Sequence, residues 1–239
     1  MKKSIYIKAA AVALALSVTA PQAAFGAGPG DGLITIETGQ TRYETATPSE
    51  LPANTGIVRP VEKYSYSDME QDIRELQAKY GSRMTVNVIG TSADGRNLYE
   101  IIVGNVNAGK HVMIQAAIHG REYMTPLLVM KQLETALEQY DTGNYEGTAY
   151  SSLFNQAAIH FIPMANPDGV AISQFGLQGI NSPLLRQTIQ EAYEKDLEEG
   201  RTTLSLDRYL TYWKANGRGV DLNSNFDAGW EKLSDLGHP

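Results

Sequence analysis

A histidine and a glutamate near the middle of this chain are spaced to bind one metal ion. His119 and Glu122 follow an apolar run at residues 113–118 and precede an amphipathic segment at residues 123–137. The run predicts a buried strand, and the segment predicts a helix. At such a junction an imidazole nitrogen and a carboxylate can converge on one ion. The alternative is a histidine hydrogen-bonded in the core and a carboxylate stabilised at a helix N-terminus.

The composition restricts the other ligands that such an ion could have. Of 239 residues, 42% are hydrophobic, which indicates a globular protein, and none is cysteine. Any metal must therefore be held by histidine, by carboxylates or by carbonyl oxygens. The formal net charge of −7 argues against nucleic acid or an anionic membrane surface as a partner.

Strand and helix patterns alternate from residue 67 onward, which predicts an α/β domain. A first helix is expected to begin at Ser67 as N-cap, with Glu70 completing a capping box, and to end at Gly81. The remaining patterns predict strands at 84–89, 98–103, 111–118 and 157–164, a polar loop at 141–150, and helices at 182–200 and 206–213. We therefore expect a mixed, mostly parallel central sheet flanked by helices.

Other residues of the same chemical types receive structural interpretations. His160 lies in the middle of a predicted buried strand and is expected in the core, whereas His111 begins a strand and is expected to be exposed. Residues 166–169 (Asn-Pro-Asp-Gly) predict a turn. Within it, Asp168 is a candidate for orienting the second ring nitrogen of a metal-binding histidine.

The N-terminus has the pattern of a secretion signal. Three early lysines precede an apolar stretch at residues 9–20, and small residues follow at a plausible cleavage point. We therefore predict a signal peptide at 1–26, an extension or linker at 27–60, and the main domain at 61–239. The predicted location is secreted or in a bacterial cell envelope, with no stable membrane span after signal cleavage; an uncleaved membrane anchor is the alternative.

Three segments, in this order, resemble the zinc carboxypeptidases of the carboxypeptidase A type. They are His-Gly-Arg-Glu at 119–122, Asn-Pro-Asp-Gly at 166–169 and Gly-Val-Asp-Leu-Asn-Ser-Asn-Phe at 219–226. The resemblance runs from about residue 64 to residue 230 and implies a zinc-peptidase-like fold, incomplete at its C-terminal side. It also implies that His119 and Glu122 are ligands of a Zn²⁺ cofactor and that the substrate is a peptide. In this family the metal polarises the scissile carbonyl, and its bound water is the nucleophile.

The third segment departs from the family pattern at one residue. Where the family has an Asn-Arg pair that grips the C-terminal carboxylate of the substrate, this chain has Asn223 and Ser224. A serine hydroxyl has no charge and no bidentate fork, so another cation must supply the grip or the bound group differs. Lys214 and Arg218 lie where the family places a cation that stabilises the oxyanion. The alternative for both is a solvated loop charge.

The resemblance also implies a third zinc ligand and a general-base glutamate, which are expected beyond Pro239. No catalytic residue is therefore assigned within this chain, His238 is interpreted as a loop residue, and the chain as given is expected to be inactive. The predicted function is zinc-dependent hydrolysis near the C-terminus of peptides. The export signal and the altered pocket favour cell-wall peptides (muropeptides) with γ-D-glutamyl-diamino acid bonds. The alternative is a non-catalytic peptide-binding or pseudo-enzyme module of the cell envelope.

Overall fold

The computed structural model describes residues 56–226 and, before them, the short strands β1 (Ile36–Glu37) and β2 (Gln40–Thr41). The chain divides into two units, Met1–Thr55 and Gly56–Pro239. In the first unit β1 pairs antiparallel with β2. The predicted signal peptide and His238 lie outside the described residues, and the predicted domain boundaries at 26 and 60 remain predictions.

The second unit alternates helices and strands along the chain. In order, its elements are α1 (Tyr66–Tyr80), β3 (Met84–Thr91), β4 (Asn97–Gly104), β5 (His111–Gln115), α2 (Met124–Glu138), β6 (Asn144–Tyr145), β7 (Thr148–Ala149), α3 (Tyr150–Gln156), β8 (Ala158–Ile162), α4 (Pro167–Phe175), α5 (Pro183–Glu198) and α6 (Leu206–Thr211). Among the described residues, no helix is long and apolar enough to cross a membrane.

The four longest strands form one mixed sheet in the order β3-β4-β8-β5. Helices pack against it: α1 contacts β3, and α3 contacts β4 and β8. The predicted mixed α/β fold with a helix-flanked sheet is thus confirmed. The expectation of mostly parallel strands does not hold for these four, because β3/β4 and β4/β8 pair antiparallel and β5/β8 alone is parallel. The tight turn after β3 forces the first of these pairings to be antiparallel.

Helix α1 begins two residues earlier than its sequence pattern suggested. Ser65, not Ser67, is the N-cap: its Oγ accepts the Asp68 N–H (3.2 Å), and the Asp68 carboxylate accepts the Ser65 N–H (2.9 Å). The capping box is therefore closed by Asp68 instead of Glu70. The helix buries Ile73 and Leu76 in the main core.

Two helices were missed. The predicted polar loop at 141–150 contains the hairpin β6/β7 and leads into α3, whose Phe154 stacks on Tyr140. The predicted turn at 166–169 is the first turn of α4, with Asn166 as N-cap and Pro167 at the first helical position. Proline and an N-cap asparagine suit a helix start as well as a turn, which is why the pattern misled.

A second apolar cluster lies beside the main core. It packs α4, α5 and α6 together through six buried side chains: Ile172, Ile180, Leu185, Ile189, Leu210 and Trp213. Since Trp213 ends this cluster and is followed directly by Lys214, the cluster fixes the start of the loop that carries the third sequence segment.

Candidate metal centre

The segment that carries His119 leaves the sheet through a strained residue. The Ala116 N–H still donates to the Ile162 carbonyl (3.0 Å), but Ala117 has a φ of 49°, in the left-handed region. A non-glycine residue there costs about 1–2 kcal/mol. The Ala117 N–H donates to Thr125 Oγ1 at the start of α2 (3.0 Å), which holds the bend. The bend turns the chain out of the sheet just before His119.

His119 and Glu122 converge as their spacing predicted. The imidazole Nδ1 lies 2.7 Å from Glu122 Oε1, and the two side chains are 13% and 40% exposed. An aromatic nitrogen and a carboxylate oxygen are both ligands that zinc accepts. The pair therefore offers two donor atoms at one point, open to solvent from the glutamate side.

A residue that the sequence reasoning missed lies behind the histidine. Asp221 Oδ1 is 3.3 Å from His119 Nε2, a contact whose geometry falls short of a hydrogen bond and leaves the buried Nε2 without a hydrogen-bond partner. A carboxylate at the far nitrogen of a metal-binding histidine orients the ring and favours the tautomer with its lone pair on the other nitrogen. The signal was present in the sequence, because Asp221 lies two residues before Asn223.

Asp221 is held in place by its own loop. Its Oδ1 accepts the Asn223 N–H (3.0 Å), and its Oδ2 lies 3.4 Å from Lys214 Nζ. Burial disfavours the charged carboxylate, but the Asn223 N–H and the Lys214 charge outweigh burial and hold the pKa of Asp221 below its usual range. An ionised carboxylate is the form that accepts a hydrogen bond from an imidazole N–H.

The predicted substrate-binding residues lie on the same loop at different depths. Lys214 is brought to the centre through its ion pair with Asp221. Asn223 and Ser224 lie in the short 3₁₀ turn Leu222–Ser224, with Asn223 exposed and Ser224 half-buried. Arg218 is exposed, borders a cavity of about 320 Å³, and forms no ion pair with any described residue. Their roles toward a substrate remain predictions.

Asp168 does not orient His119, contrary to expectation. It is 1% exposed, and its carboxylate accepts hydrogen bonds from Arg96 Nη1 (2.7 Å), Ser92 Oγ (2.7 Å) and the Asp94 N–H (3.0 Å). All its partners come from the turn between β3 and β4. Asp168 therefore joins that turn to the start of α4, and the carboxylate that lies beside His119 Nε2 is that of Asp221.

His160 is not a core histidine in the apolar sense that the sequence suggested. Its Nδ1 contacts Glu100 Oε1 (2.9 Å) and its Nε2 contacts His111 Nδ1 (2.8 Å). Asn87 Nδ2 donates to the other oxygen of Glu100 (3.0 Å). The four side chains form a polar row across the four strands. His111 is exposed, as expected.

The donor set at His119 fits zinc, as far as the described residues go. An imidazole and a carboxylate converge, and the buried Nε2 faces a carboxylate instead of a neutral core. Within residues 56–226, no group of three or more histidine, aspartate or glutamate side chains is arranged to hold a metal ion. Among the described residues, His119 and Glu122 are thus two candidate ligands for a catalytic zinc site, which uses three protein ligands.

Comparisons with known proteins point the same way. The zinc carboxypeptidase family model matches residues 69–238. The chain is 30% identical to gamma-D-glutamyl-L-diamino acid endopeptidase 1 of Lysinibacillus sphaericus over 179 residues, covering 73% of this chain and 40% of that protein. It is 26% identical to the uncharacterized protein YqgT of Bacillus subtilis (strain 168), covering 77% and 46%. The chain thus spans less than half the length of these curated relatives.

A solved structure also aligns with part of the chain. Carboxypeptidase A from Helicoverpa armigera covers 54% of this chain and 31% of its own length, at 24% identity and a TM-score of 0.43. The family model alone spans well over half of the sequence, including both His119–Glu122 and the segment with Asp221. The chain belongs to the zinc carboxypeptidase family.

Proposed function

We propose that this chain contributes the zinc-binding part of an exported bacterial peptidase that cleaves γ-D-glutamyl-diamino acid bonds in cell-wall peptides. The observation that carries the proposal is the convergence of His119 Nδ1 and Glu122 Oε1 at 2.7 Å, with Asp221 behind the ring. The substrate class is supported by the relative from Lysinibacillus sphaericus, whose name states that bond. The export signal predicted at 1–26 would bring the protein to where such peptides occur.

Three residues of this chain would act on the metal. His119 and Glu122 would hold zinc through Nδ1 and a carboxylate oxygen, while Asp221 would keep the Nε2 proton and fix the plane of the ring. When bound, zinc supplies Lewis-acid chemistry, which polarises a carbonyl group and makes water a stronger nucleophile. Lys214, tied to Asp221 at 3.4 Å and 43% exposed, places a positive charge beside His119 where a developing oxyanion could be stabilised.

The substrate end of the site differs from that of the family in charge. Ser224 can offer one neutral hydrogen bond where the family pattern has a bidentate arginine. Arg218 lies six residues earlier on the same loop, and its guanidinium forms no ion pair with the described part of the chain. We propose that Arg218 binds a carboxylate of the substrate and that Ser224 leaves room for a diamino acid.

The test is hydrolysis by the purified full-length gene product with zinc present. Muropeptides with a γ-D-glutamyl-diamino acid bond are compared with ordinary C-terminal dipeptides. We expect zinc-dependent cleavage of the muropeptide, lost on chelation and lost in His119→Ala. Cleavage restricted to ordinary dipeptides would contradict the substrate proposal, and metal-independent cleavage would contradict the zinc proposal.

A substitution at Ser224 tests the substrate end separately. Ser224→Arg restores the family residue, and a charged bidentate hydrogen bond contributes about 1.5–3 kcal/mol. We therefore expect kcat/KM for a dipeptide with a free α-carboxylate to rise about tenfold or more relative to the muropeptide. An unchanged ratio would show that residue 224 does not contact the C-terminal group.

A non-catalytic peptide-binding module is the second candidate. It is favoured by Ser224, which stands where the family has a charged arginine. The two candidates separate in one measurement. A binding module retains muropeptides in equilibrium dialysis without cleaving them and without a zinc requirement, whereas the peptidase cleaves them and contains zinc.

A further inference from the structure

Asn166 connects the two segments that form the metal centre. Its side chain is 2% exposed and lies at the start of α4. We infer that Asn166 is a positioning residue: it fixes the segment carrying His119 against the loop carrying Asp221, so that the ring and its orienting carboxylate meet. The inference rests on the proposed zinc-binding function and concerns the support of that site.

The amide of Asn166 bonds to both segments at once. Its Nδ2 lies within hydrogen-bond distance of three main-chain carbonyls, those of Ile118 (3.2 Å), Lys214 (3.3 Å) and Ala215 (3.0 Å). Ile118 directly precedes His119, and Lys214 begins the loop that leads to Asp221. One buried amino group therefore spans the two halves of the centre.

The Asn166 side chain also caps helix α4, a role that several other residue types could fill. Its Oδ1 accepts the Gly169 N–H (2.9 Å) and so caps α4. Serine and aspartate cap helices about as well as asparagine. Neither can replace Nδ2, because an aspartate carboxylate donates no hydrogen and a serine hydroxyl donates only one. Capping alone thus does not account for an asparagine here, whereas bridging three carbonyls does.

The main chain around Asn166 is closely packed. The Gly120 N–H donates to the Lys214 carbonyl (3.1 Å), which adds a direct link between the two segments. A Cβ at Gly120 would lie 2.3 Å from Gly169 C and O, and one at Gly169 would lie 2.5 Å from the Ala215 carbonyl. Main chain thus contacts main chain on both sides of the amide, so a loss of the Nδ2 bonds is transmitted to His119 instead of being absorbed by side chains.

The test compares zinc binding and stability in matched variants of the full-length protein. Asn166→Ser keeps an N-cap oxygen but loses most of the donor capacity, and Asn166→Asp keeps the cap and removes the donors. The control is Gln174→Met. Gln174 lies on the same helix, is 6% exposed, and donates through Nε2 to the Tyr64 carbonyl (3.0 Å), a contact outside the metal centre. Zinc affinity is measured by competition with a chelating dye, cobalt(II) spectra report the ligand geometry, and thermal unfolding reports stability.

We expect both Asn166 variants to bind zinc about tenfold more weakly and to alter the cobalt(II) spectrum, the size of effect typical of groups that support metal ligands. Gln174→Met loses the bond to the Tyr64 carbonyl and also removes Oε1, which has no hydrogen-bond partner among the described residues, and its zinc affinity should stay within about twofold of wild type. Asn166→Ser with wild-type zinc affinity would overturn the inference. So would failure of Asn166→Ser to fold where Gln174→Met folds, since the role would then be global stability. If the wild-type protein itself binds no zinc, the proposed function fails instead.

Discussion

Among the described residues, two histidine–carboxylate pairs joined through Nδ1 have nearly equal lengths and different surroundings. His119 Nδ1 lies 2.7 Å from Glu122, and His160 Nδ1 lies 2.9 Å from Glu100. In the second pair every partner is in turn engaged: Nε2 contacts His111, and Asn87 donates to the far oxygen of Glu100. In the first pair Nε2 is buried without a hydrogen bond, and Oε1 of Glu122 contacts His119 alone among the described residues.

The difference separates a structural pair from a site. A buried polar atom without a hydrogen-bond partner costs about 1–3 kcal/mol, and at His119 that atom is Nε2, which faces the Asp221 carboxylate. In the His160–Glu100 pair, the remaining nitrogen and the remaining oxygen already have hydrogen-bond partners. The strands that carry the two residues give the pair a fixed geometry. The first pair lies on a segment outside the sheet, with one face open. The two pairs have similar distances between nitrogen and oxygen. They differ in whether their remaining nitrogen and oxygen atoms have hydrogen-bond partners.

The largest contrast is expected in metal affinity. His119→Ala should lower zinc affinity at least about 100-fold, because it removes one of the two proposed ligands in the described part of the chain. His160→Ala should leave zinc affinity within twofold and lower the free energy of unfolding by about 1–3 kcal/mol, since it leaves Glu100 with an unmet bond. Dye competition and urea unfolding measure the two effects. Equal losses of zinc affinity in the two variants would remove the distinction between the pairs.

A smaller effect is expected from the carboxylate behind His119. Asp221→Asn keeps the shape of the side chain but removes the negative charge beside His119 Nε2, and should lower zinc affinity about tenfold. Glu100→Gln, the equivalent change beside His160, serves as the control and should not alter it. The same dye competition measures both. A zinc affinity for Asp221→Asn equal to that of wild type would mean that Asp221 has no part in orienting the ring.

The satisfied pair should instead show itself in the pH dependence of stability. The hydrogen bond from Asn87, and after it that from His160, holds the pKa of Glu100 below its usual range. A carboxylate with a lowered pKa stabilises the fold above its unfolded pKa of about 4.3, and this contribution is lost as pH falls through the folded-state pKa. The gap in unfolding free energy between wild type and Glu100→Gln should therefore be wide at pH 7 and narrow at pH 3.

Urea unfolding across that pH range, with Glu138→Gln as an exposed control, measures this gap. The gap between wild type and this exposed variant is the baseline for the gap between wild type and Glu100→Gln. A gap that stays constant from pH 7 to pH 3 would mean that Glu100 does not gain from ionisation in the folded state.

The smallest effect concerns the backbone two residues before each histidine. Ala117→Gly should leave the unfolding free energy nearly unchanged, because relief of the left-handed conformation, about 1–2 kcal/mol, offsets the lost methyl group and the entropy of glycine. Ala158→Gly, in the regular strand before His160, has no such relief and should cost about 1.5 kcal/mol. Urea unfolding of each variant against wild type measures the two changes in unfolding free energy. Equal costs would argue that Ala117 is not strained.

What the sequence could predict depends on how far apart the partners lie along the chain. His119 and Glu122 are three residues apart on one junction, so local spacing was enough to find them. The Glu100–His160 pair joins residues 60 positions apart, and its formation depends on the register of β4 with β8, which no local pattern contains. For the same reason His160 was interpreted as core.

The segment at residues 219–226 shows a second limit of prediction from sequence. Motif resemblance drew attention to Asn223 and Ser224, whereas Asp221 in the same segment is the residue that reaches His119. The sequence suggested Asp168 as the carboxylate that orients the histidine. In the folded protein, however, the Asp168 carboxylate is paired with the Arg96 guanidinium. Competition between charged partners is a property of the folded arrangement, and residue types alone do not resolve it.

The start of the second unit has a practical consequence for anyone expressing shortened versions of this protein. The Glu134 carboxylate, 1% exposed on α2, accepts the N–H groups of Ile57 (2.5 Å) and Val58 (3.4 Å), and a Cβ at Gly56 would lie 2.7 Å from it. A shortened protein that begins after Val58 would expose the buried Glu134 carboxylate and remove the two backbone N–H groups that donate to it. Expression boundaries should therefore be drawn before Gly56, and library mutagenesis should leave that glycine untouched.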